Sequence, residues 1–421
     1  MRTQKLIYLA RRIEPVAVIL LLLYYVYPQM PGALDNPLKY LSYGVVGILF
    51  LSAGMGNWQR LAYVATRDLF PLVLLGLSII SVLWSAAPNY TIDEVDPVIR
   101  ACLFSIYIAM RYTVKEQMRL FAWMLGVAAV LSLIYALAVP SEGIAMTNGE
   151  VSWKGIFQHK QYLGRFMVLG AITFINIALD NRKYQKIAWI GVFLTATLAL
   201  LSSSRSALIL LLFSILSLPL YRLIKQKKYK LRTILLIVIT FMISASIILV
   251  ASNLETIVVD ILGKNLEFNG RIPVWTLAIQ KGLERPLLGY GYVGFWTSDE
   301  SLSILNSTWA LSASGGEGRF HAHNGFIDVF LQLGFVGLLL CLLSFITLMS
   351  RVIILIGSHK NGREFFWIFQ FLLITFLANL SEIRTFIGHG TLWILYVSLS
   401  LSTAVLLGRT RAYKYLQQEI V

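Results

Sequence analysis

Val16-Ala17-Val18-Ile19-Leu20-Leu21-Leu22-Leu23-Tyr24-Tyr25-Val26-Tyr27-Pro28 is the stretch that decides the fold. It carries no charge, follows Arg11-Arg12, and ends on three tyrosines. Hydrocarbon offers the backbone no hydrogen-bond partner, so such a run must close its own bonds as a helix. Tyrosines at its end suit the level where a span meets lipid headgroups. The run lacks a small-residue cleavage site and reads as a retained helix rather than a leader.

Runs of this kind recur as far as Leu407. They predict about twelve transmembrane helices near 14–27, 39–54, 70–86, 97–111, 119–138, 162–180, 187–202, 205–221, 233–251, 324–350, 364–381 and 390–408. Composition agrees: the 421 residues are 57% hydrophobic and 14% charged, with mean hydropathy +0.71. A soluble domain has about 25% charge. The alternation of a membrane barrel is absent. The expected class is an all-α polytopic membrane protein.

Charge sets the orientation. With the N-terminus and its Arg2, Lys5, Arg11 and Arg12 inside, every second crossing returns the chain to a basic loop. These are Arg60/Arg67, Arg111/Lys115/Arg119, Arg182/Lys183/Lys186, Arg222 through Arg232, Arg351/Lys360/Arg363 and Arg409/Arg411/Lys414. Retention of basic loops in the cytoplasm then puts both termini inside. The net charge of +15 is thereby a topology signal. No basic stripe with interleaved aromatics points to nucleic acid. Cys102 and Cys341 lie within apolar runs and read as neither disulfide nor metal ligands.

The chain divides into helices 1–9 over residues 1–251, a long outward loop over 252–323, and helices 10–12 with a tail over 324–421. So long a loop among short ones is a functional suspect. It contains a short amphipathic helix from Pro273 to about Leu283, with Trp275, Ala278 and Ile279 on one face and Pro286 as its stop. The Ser- and Gly-rich stretch 301–319 is expected to be mobile. A second outward loop, 139–161, carries Trp153, Lys154, His159 and Lys160.

Arg100, Arg165, Arg205 and Arg271 are all expected at the outer face, where four cations could converge on an anion. The planar guanidinium fork suits phosphate. For any one of them the competing reading is snorkelling to headgroups; the tight turn Ser202-Ser203-Ser204-Arg205-Ser206 favours function for Arg205. Of the five histidines, His321 and His323 arrive together in Arg319-Phe320-His321-Ala322-His323-Asn324, just before a membrane helix. Such a pair could bind a metal, with Asp328 as the nearby carboxylate, or a neutral imidazole could serve as general base.

His323-Asn324, nine residues, then Gly334-Phe335-Val336-Gly337 resembles the His-Asn-x9-Gly-x2-Gly signature of the O-antigen ligase and polysaccharide polymerase superfamily. Arg271-x3-Trp275 followed by Pro286-Leu287-Leu288-Gly289-Tyr290-Gly291 resembles its loop, and Ser202 through Ala207 its Ser-Arg turn. Trp153-Lys154-Gly155-Ile156-Phe157-Gln158-His159-Lys160 resembles the exopolysaccharide-polymerase branch, with Gln161 departing from that branch's Asn. The resemblance implies a GT-C-like fold with a periplasmic loop over a cavity, in a bacterial inner membrane. It also implies metal- and cofactor-independent, inverting transfer of a glycan from undecaprenyl diphosphate. The family's His maps to His323 and its two Arg to Arg205 and Arg271. Arg100, Arg165, Asn324, His321, Trp275, Trp153 and Lys160 are expected at the substrate. Trp275, Trp153, Trp296 and Trp309 could offer faces to sugars or anchor the membrane, and Asn324 could bind acceptor or cap its helix.

Two readings share this apparatus: a polymerase joining repeat units of exopolysaccharide or O-antigen, and a ligase moving the glycan to lipid A-core. The Trp153–Lys160 segment favours the polymerase. Membrane lipids and other polysaccharide-assembly proteins are the further partners expected. A lipid-linked sugar transporter or flippase would explain the arginines but not a long loop ending in His-Asn. A metal-dependent transferase built on Asp93-Glu94-Val95-Asp96 ranks lowest.

Overall fold

The computed structural model describes residues 2–26, 32–147, 150–180, 182–225, 271–310, 320–380 and 386–418. The segment expected as a helix at 233–251, the start of the long loop, and 311–319 lie outside them.

The chain is a helical membrane protein. Its helices are α1 (Arg2–Val26), α2 (Gly32–Gly54), α3 (Trp58–Ala65), α4 (Leu69–Ile80), α5 (Pro88–Arg111), α6 (Val114–Ala138) and the single turn α7 (Pro140–Gly143). After the hairpin β1 (Ile144–Thr147) and β2 (Glu150–Trp153) come α8 (Lys160–Asp180), α9 (Gln185–Leu201), α10 (Arg205–Leu216) and α11 (Leu220–Lys225). The last group is α12 (Arg271–Glu284), α13 (Leu302–Ser307), α14 (Gly325–Ser358), α15 (Arg363–Asn379) and α16 (Thr391–Gln418).

Six helical stretches among the described residues are long and apolar enough to span: Val114–Ala138, Lys160–Asp180, Arg182–Leu201, Arg205–Lys225, Gly325–Ser358 and Thr391–Gly408. Trp58–Ala65 with Leu69–Trp84, bent by 84°, makes a seventh if taken as one span. The number twelve is not reached on this criterion. The segments expected at 14–27, 39–54, 97–111 and 364–381 are helical, but their apolar parts are short or interrupted by charge.

Small residues bring helices together where apolar side chains gain nothing by leaving lipid. A Cβ on Gly170 of α8 would lie 2.7 Å from Thr195 of α9, and one on Gly191 would lie 2.6 Å from Phe174. Buried amides then tie the layers. Asn176 donates to Gln370 Oε1 at 2.6 Å, and Gln370 donates to Ser217 Oγ at 2.8 Å and to the Ser214 carbonyl at 2.9 Å. At one end of the bundle the basic residues meet carboxylates. Arg111 grips Glu14 through two bonds of 2.6 and 2.9 Å, Lys115 pairs with Asp180 at 2.5 Å, and Arg351 pairs with the buried Asp68.

The opposite end carries a further layer, in which α12 packs on α14. The expected loop helix is there, three residues longer than its predicted limits in total. The loop 139–161 holds an antiparallel hairpin, pairing Ile144 with Trp153 and Thr147 with Glu150. This small sheet was not expected in an all-α chain.

α14 is not one continuous helix. Gly334 takes φ 63° and ψ −163°, which breaks it into a half-helix and a long span. Only a glycine fits this point, because a Cβ would stand 2.2 Å from the Leu287 carbonyl carbon. The freed backbone is re-bonded to the turn after α12: Phe335 N–H donates to the Pro286 carbonyl at 2.7 Å and Val336 N–H to Leu287 at 3.2 Å. Gly289, at φ 63°, lets Tyr290 N–H reach the Leu331 carbonyl at 2.8 Å. The Gly-x2-Gly and Gly-Tyr-Gly strings are thus two halves of one joint.

Candidate active site

The His-x-His segment is shaped from both sides of Ala322. Its N–H donates to both carboxylate oxygens of Asp328 at 3.2 Å. Its carbonyl accepts from the Trp275 indole at 2.7 Å. Asp328 is fully buried in the first turn of α14, where the helix N-terminus favours a negative charge, and it also accepts from the Trp296 indole at 2.6 Å. Asn324 caps the same helix, its Oδ1 accepting from Phe326 N–H at 3.1 Å and Ile327 N–H at 3.2 Å while its amide donates to the Leu380 carbonyl at 3.3 Å.

Between these fixed points His323 adopts φ 52°, in the left-handed region. For a side chain of this kind that costs about 1–3 kcal/mol and persists only when neighbours over-determine it. The His321 ring lies 4.0 Å from the His323 ring, centroid to centroid, and Trp309 and Phe320 each lie at 5.9 Å. Burial pushes the His323 imidazole down to about 4, and the positive charges of Arg271 and His159 push the same way. The ring is therefore neutral at pH 7, with a guanidinium as neighbour.

Arg271 opens α12 and Arg205 opens α10. Arg205 follows Ser204, whose Oγ accepts from Ala207 N–H at 3.4 Å, and Ser203, which sits at φ 49° and donates to the Val151 carbonyl of β2 at 3.2 Å. The turn presses on α8 at Gly164, where a Cβ would meet Ala207 at 2.6 Å and Ser202 Oγ at 2.8 Å. The start of α8 is therefore the shared wall. It offers Lys160 and the buried Arg165, whose guanidinium lies 5.5 Å from the Tyr162 ring, beside the Ser-Arg turn. The preceding His159 faces His323 electrostatically, and its Nδ1 accepts from Gln161 N–H at 3.3 Å. Trp153 ends the hairpin, half-buried against the helical core.

The structure thus brings together Arg271, His323, His321 and His159, and links Arg205, Arg165 and Lys160 to them through α8. Arg100 is held elsewhere, on α5 against α2, where it donates to Ser42 Oγ at 2.9 Å and the Lys39 carbonyl at 3.3 Å. Two of the readings left open above lose their support. Asp328 binds backbone and indole N–H groups instead of completing a His-x-His metal set. Trp296 is 3% exposed and has no face to offer a sugar. Among the described residues no three His, Cys, Asp or Glu side chains are grouped to hold a metal. His159 was read only as part of a motif, and its nearness to His323 depends on a fold-back that no local spacing encodes.

Residues 190–342 match a family model described as O-Antigen ligase. That span takes in the Ser-Arg turn, Arg271, the Pro286–Gly291 turn and the His323–Gly337 signature. The chain is also similar to a protein of Rhizobium meliloti (strain 1021) named exopolysaccharide production protein ExoQ, with 25% identity over 299 residues. The alignment covers 70% of this chain and 65% of that protein, a little under two thirds of the relative's length. The family match falls on most of the segments that build the site, and both likenesses support the resemblance to the O-antigen ligase and polysaccharide polymerase superfamily.

Proposed function

We propose that the chain is a polysaccharide polymerase that transfers a glycan from undecaprenyl diphosphate to the hydroxyl of an acceptor sugar on a second lipid-linked unit. The observation that carries this reading is a neutral histidine fixed beside an arginine: His323 next to Arg271, on a segment clamped at Ala322. The acceptor hydroxyl gives its proton to the His323 imidazole as its oxygen bonds to the anomeric carbon. The bond from that carbon to the diphosphate oxygen breaks, and the diphosphate leaves with the electron pair. Attack opposite the leaving group inverts the centre. Arg271 and Arg205 stabilise the growing negative charge, a role fixed guanidinium groups fill without reorganising. Bound diphosphate also offsets the charge of Arg271, so His323 becomes a better base as the donor arrives. In this reading the layer that carries α12 faces the periplasm of a bacterial inner membrane, and the termini lie in the cytoplasm.

The likeness to an exopolysaccharide production protein favours the polymerase over the lipid A-core ligase. A reconstituted assay with purified lipid-linked repeat unit tests this. Chain growth with that substrate alone, abolished by His323→Ala and preserved in chelator, is the expected result. Transfer that requires lipid A-core would make the protein a ligase, and loss of activity in chelator would overturn the metal-free mechanism. Enzyme fusions at Ser314, active only in the periplasm, test the orientation.

A further inference from the structure

Arg100 is 5% exposed in the helical bundle, yet it has no carboxylate partner among the described residues. Its Nη1 makes two hydrogen bonds, to Ser42 Oγ and the Lys39 carbonyl. Its Nε is enclosed and donates to nothing. Asp96, one helical turn earlier on α5, is exposed and beyond ion-pair distance. The guanidinium lies over the Tyr43 ring at 3.9 Å and within 5.7 Å of the Tyr25 ring; the Tyr43 hydroxyl is buried without a partner, and the buried Tyr25 hydroxyl faces the guanidinium itself. Cation–π contact offsets part of the cost of burying the charge. Enclosing an ion costs more than such contact returns unless an opposite charge meets it.

A buried cation, an idle N–H and an idle phenol in one place make an incomplete coordination set. An anion with several acceptor oxygens completes it: a phosphate, taking the guanidinium edge and the Tyr43 hydroxyl. The position narrows the source. Tyr25 closes α1 at the end of the bundle opposite the Glu14–Arg111 pair. α2 stands at the margin, packed on α5 and α3, and exposes Tyr40, Leu41, Ile48 and Leu51, an apolar face for acyl chains. We propose that Arg100 and Tyr43 bind the phosphate headgroup of a membrane lipid, at a site separate from the transfer centre. This assignment rests on no assumption about the transfer reaction.

Full-length protein, purified in detergent and stripped of lipid, is titrated with phosphatidylglycerol, undecaprenyl phosphate and inorganic pyrophosphate. Native mass spectrometry counts bound ligand. Phosphatidylglycerol or undecaprenyl phosphate, or both, should bind saturably, and which of them binds identifies the source. Tyr43→Phe removes a hydroxyl that bonds to nothing in the protein, so it should leave the lipid-free unfolding temperature unchanged. It should weaken lipid binding at least about threefold. Arg100→Leu should weaken binding at least tenfold, and Arg271→Gln should leave phosphatidylglycerol binding intact. Equal lipid binding in wild type and Tyr43→Phe, or pyrophosphate binding as tightly as the lipids through Arg100, would overturn the proposal.

Discussion

Replacing Trp275 with phenylalanine keeps an aromatic face and deletes the indole N–H that holds the Ala322 carbonyl at 2.7 Å. Ala322 is 1% exposed, so water does not readily take the vacated place. Leaving a buried carbonyl unpaired costs about 1–3 kcal/mol. The strain at His323 is of the same size, about 1–3 kcal/mol, so the loss is enough to let the segment relax toward an ordinary conformation. If that energy appears in the barrier, kcat falls about 5- to 150-fold, since 1.36 kcal/mol is tenfold. The donor is gripped by other residues, so its KM should change little. Steady-state kinetics on reconstituted protein, with folding checked by thermal unfolding, separates the two parameters. A sugar-stacking role for Trp275 makes the opposite prediction: phenylalanine still stacks, kcat holds, and any effect falls on KM. Wild-type kcat in Trp275→Phe would refute the positioning argument.

The pH profile follows from His323, whose imidazole is pushed down to about 4. A base is active when neutral, so kcat/KM, which reports the free enzyme, should stay level from pH 7.5 to about 5 and fall only toward 4. Arg271→Gln removes one depressing charge, and its residual kcat/KM, normalised, should show the acid limb at higher pH; an unmoved limb would mean that another group titrates. The same shift makes protonation favour the unfolded chain, so stability should decline as pH falls below the ordinary histidine value of about 6.5. Arg205→Lys keeps charge and loses the planar fork, so activity should drop at least about tenfold at normal protein level; full activity would show that a point charge suffices there. Gly334→Ala forces a Cβ into the Leu287 backbone at positive φ and should lower stability by at least about 1–3 kcal/mol, read as a lower unfolding temperature. An unchanged unfolding temperature would contradict the joint described between Gly334 and Leu287.

The membrane class was legible because lipid leaves a chain few choices, and the run ending at Tyr27 states the choice openly. The helix from Arg271 was legible for the same kind of reason, with prolines marking its first turn and its stop. The hairpin at 144–153 was not, since Met146 and Val151 are exposed and no alternating apolar face announces a strand. Depth along a helix can be read from sequence, but azimuth cannot. Arg100, Arg165, Arg205 and Arg271 were expected at one face, and Arg100 turns instead toward α2. Asp328 shows a subtler gap. It was read as the carboxylate nearest the histidines, but its helix begins only at Gly325, its carboxylate accepts from the N–H of Ala322, and no side-chain pattern records where a backbone N–H will point.

The joint at Gly334 has a mechanical consequence. α12 and the turn after it are fastened on both sides of the half-helix of α14, through Trp275 to Ala322 before it and through Pro286 and Leu287 to Phe335 and Val336 beyond it. A body pinned twice cannot swing about either pin. Arg271 and His323 therefore sit on one fastened unit, one jaw of the site. Any closure around substrate is then left to the other jaw, the start of α8 with its hairpin and the turn that carries Arg205.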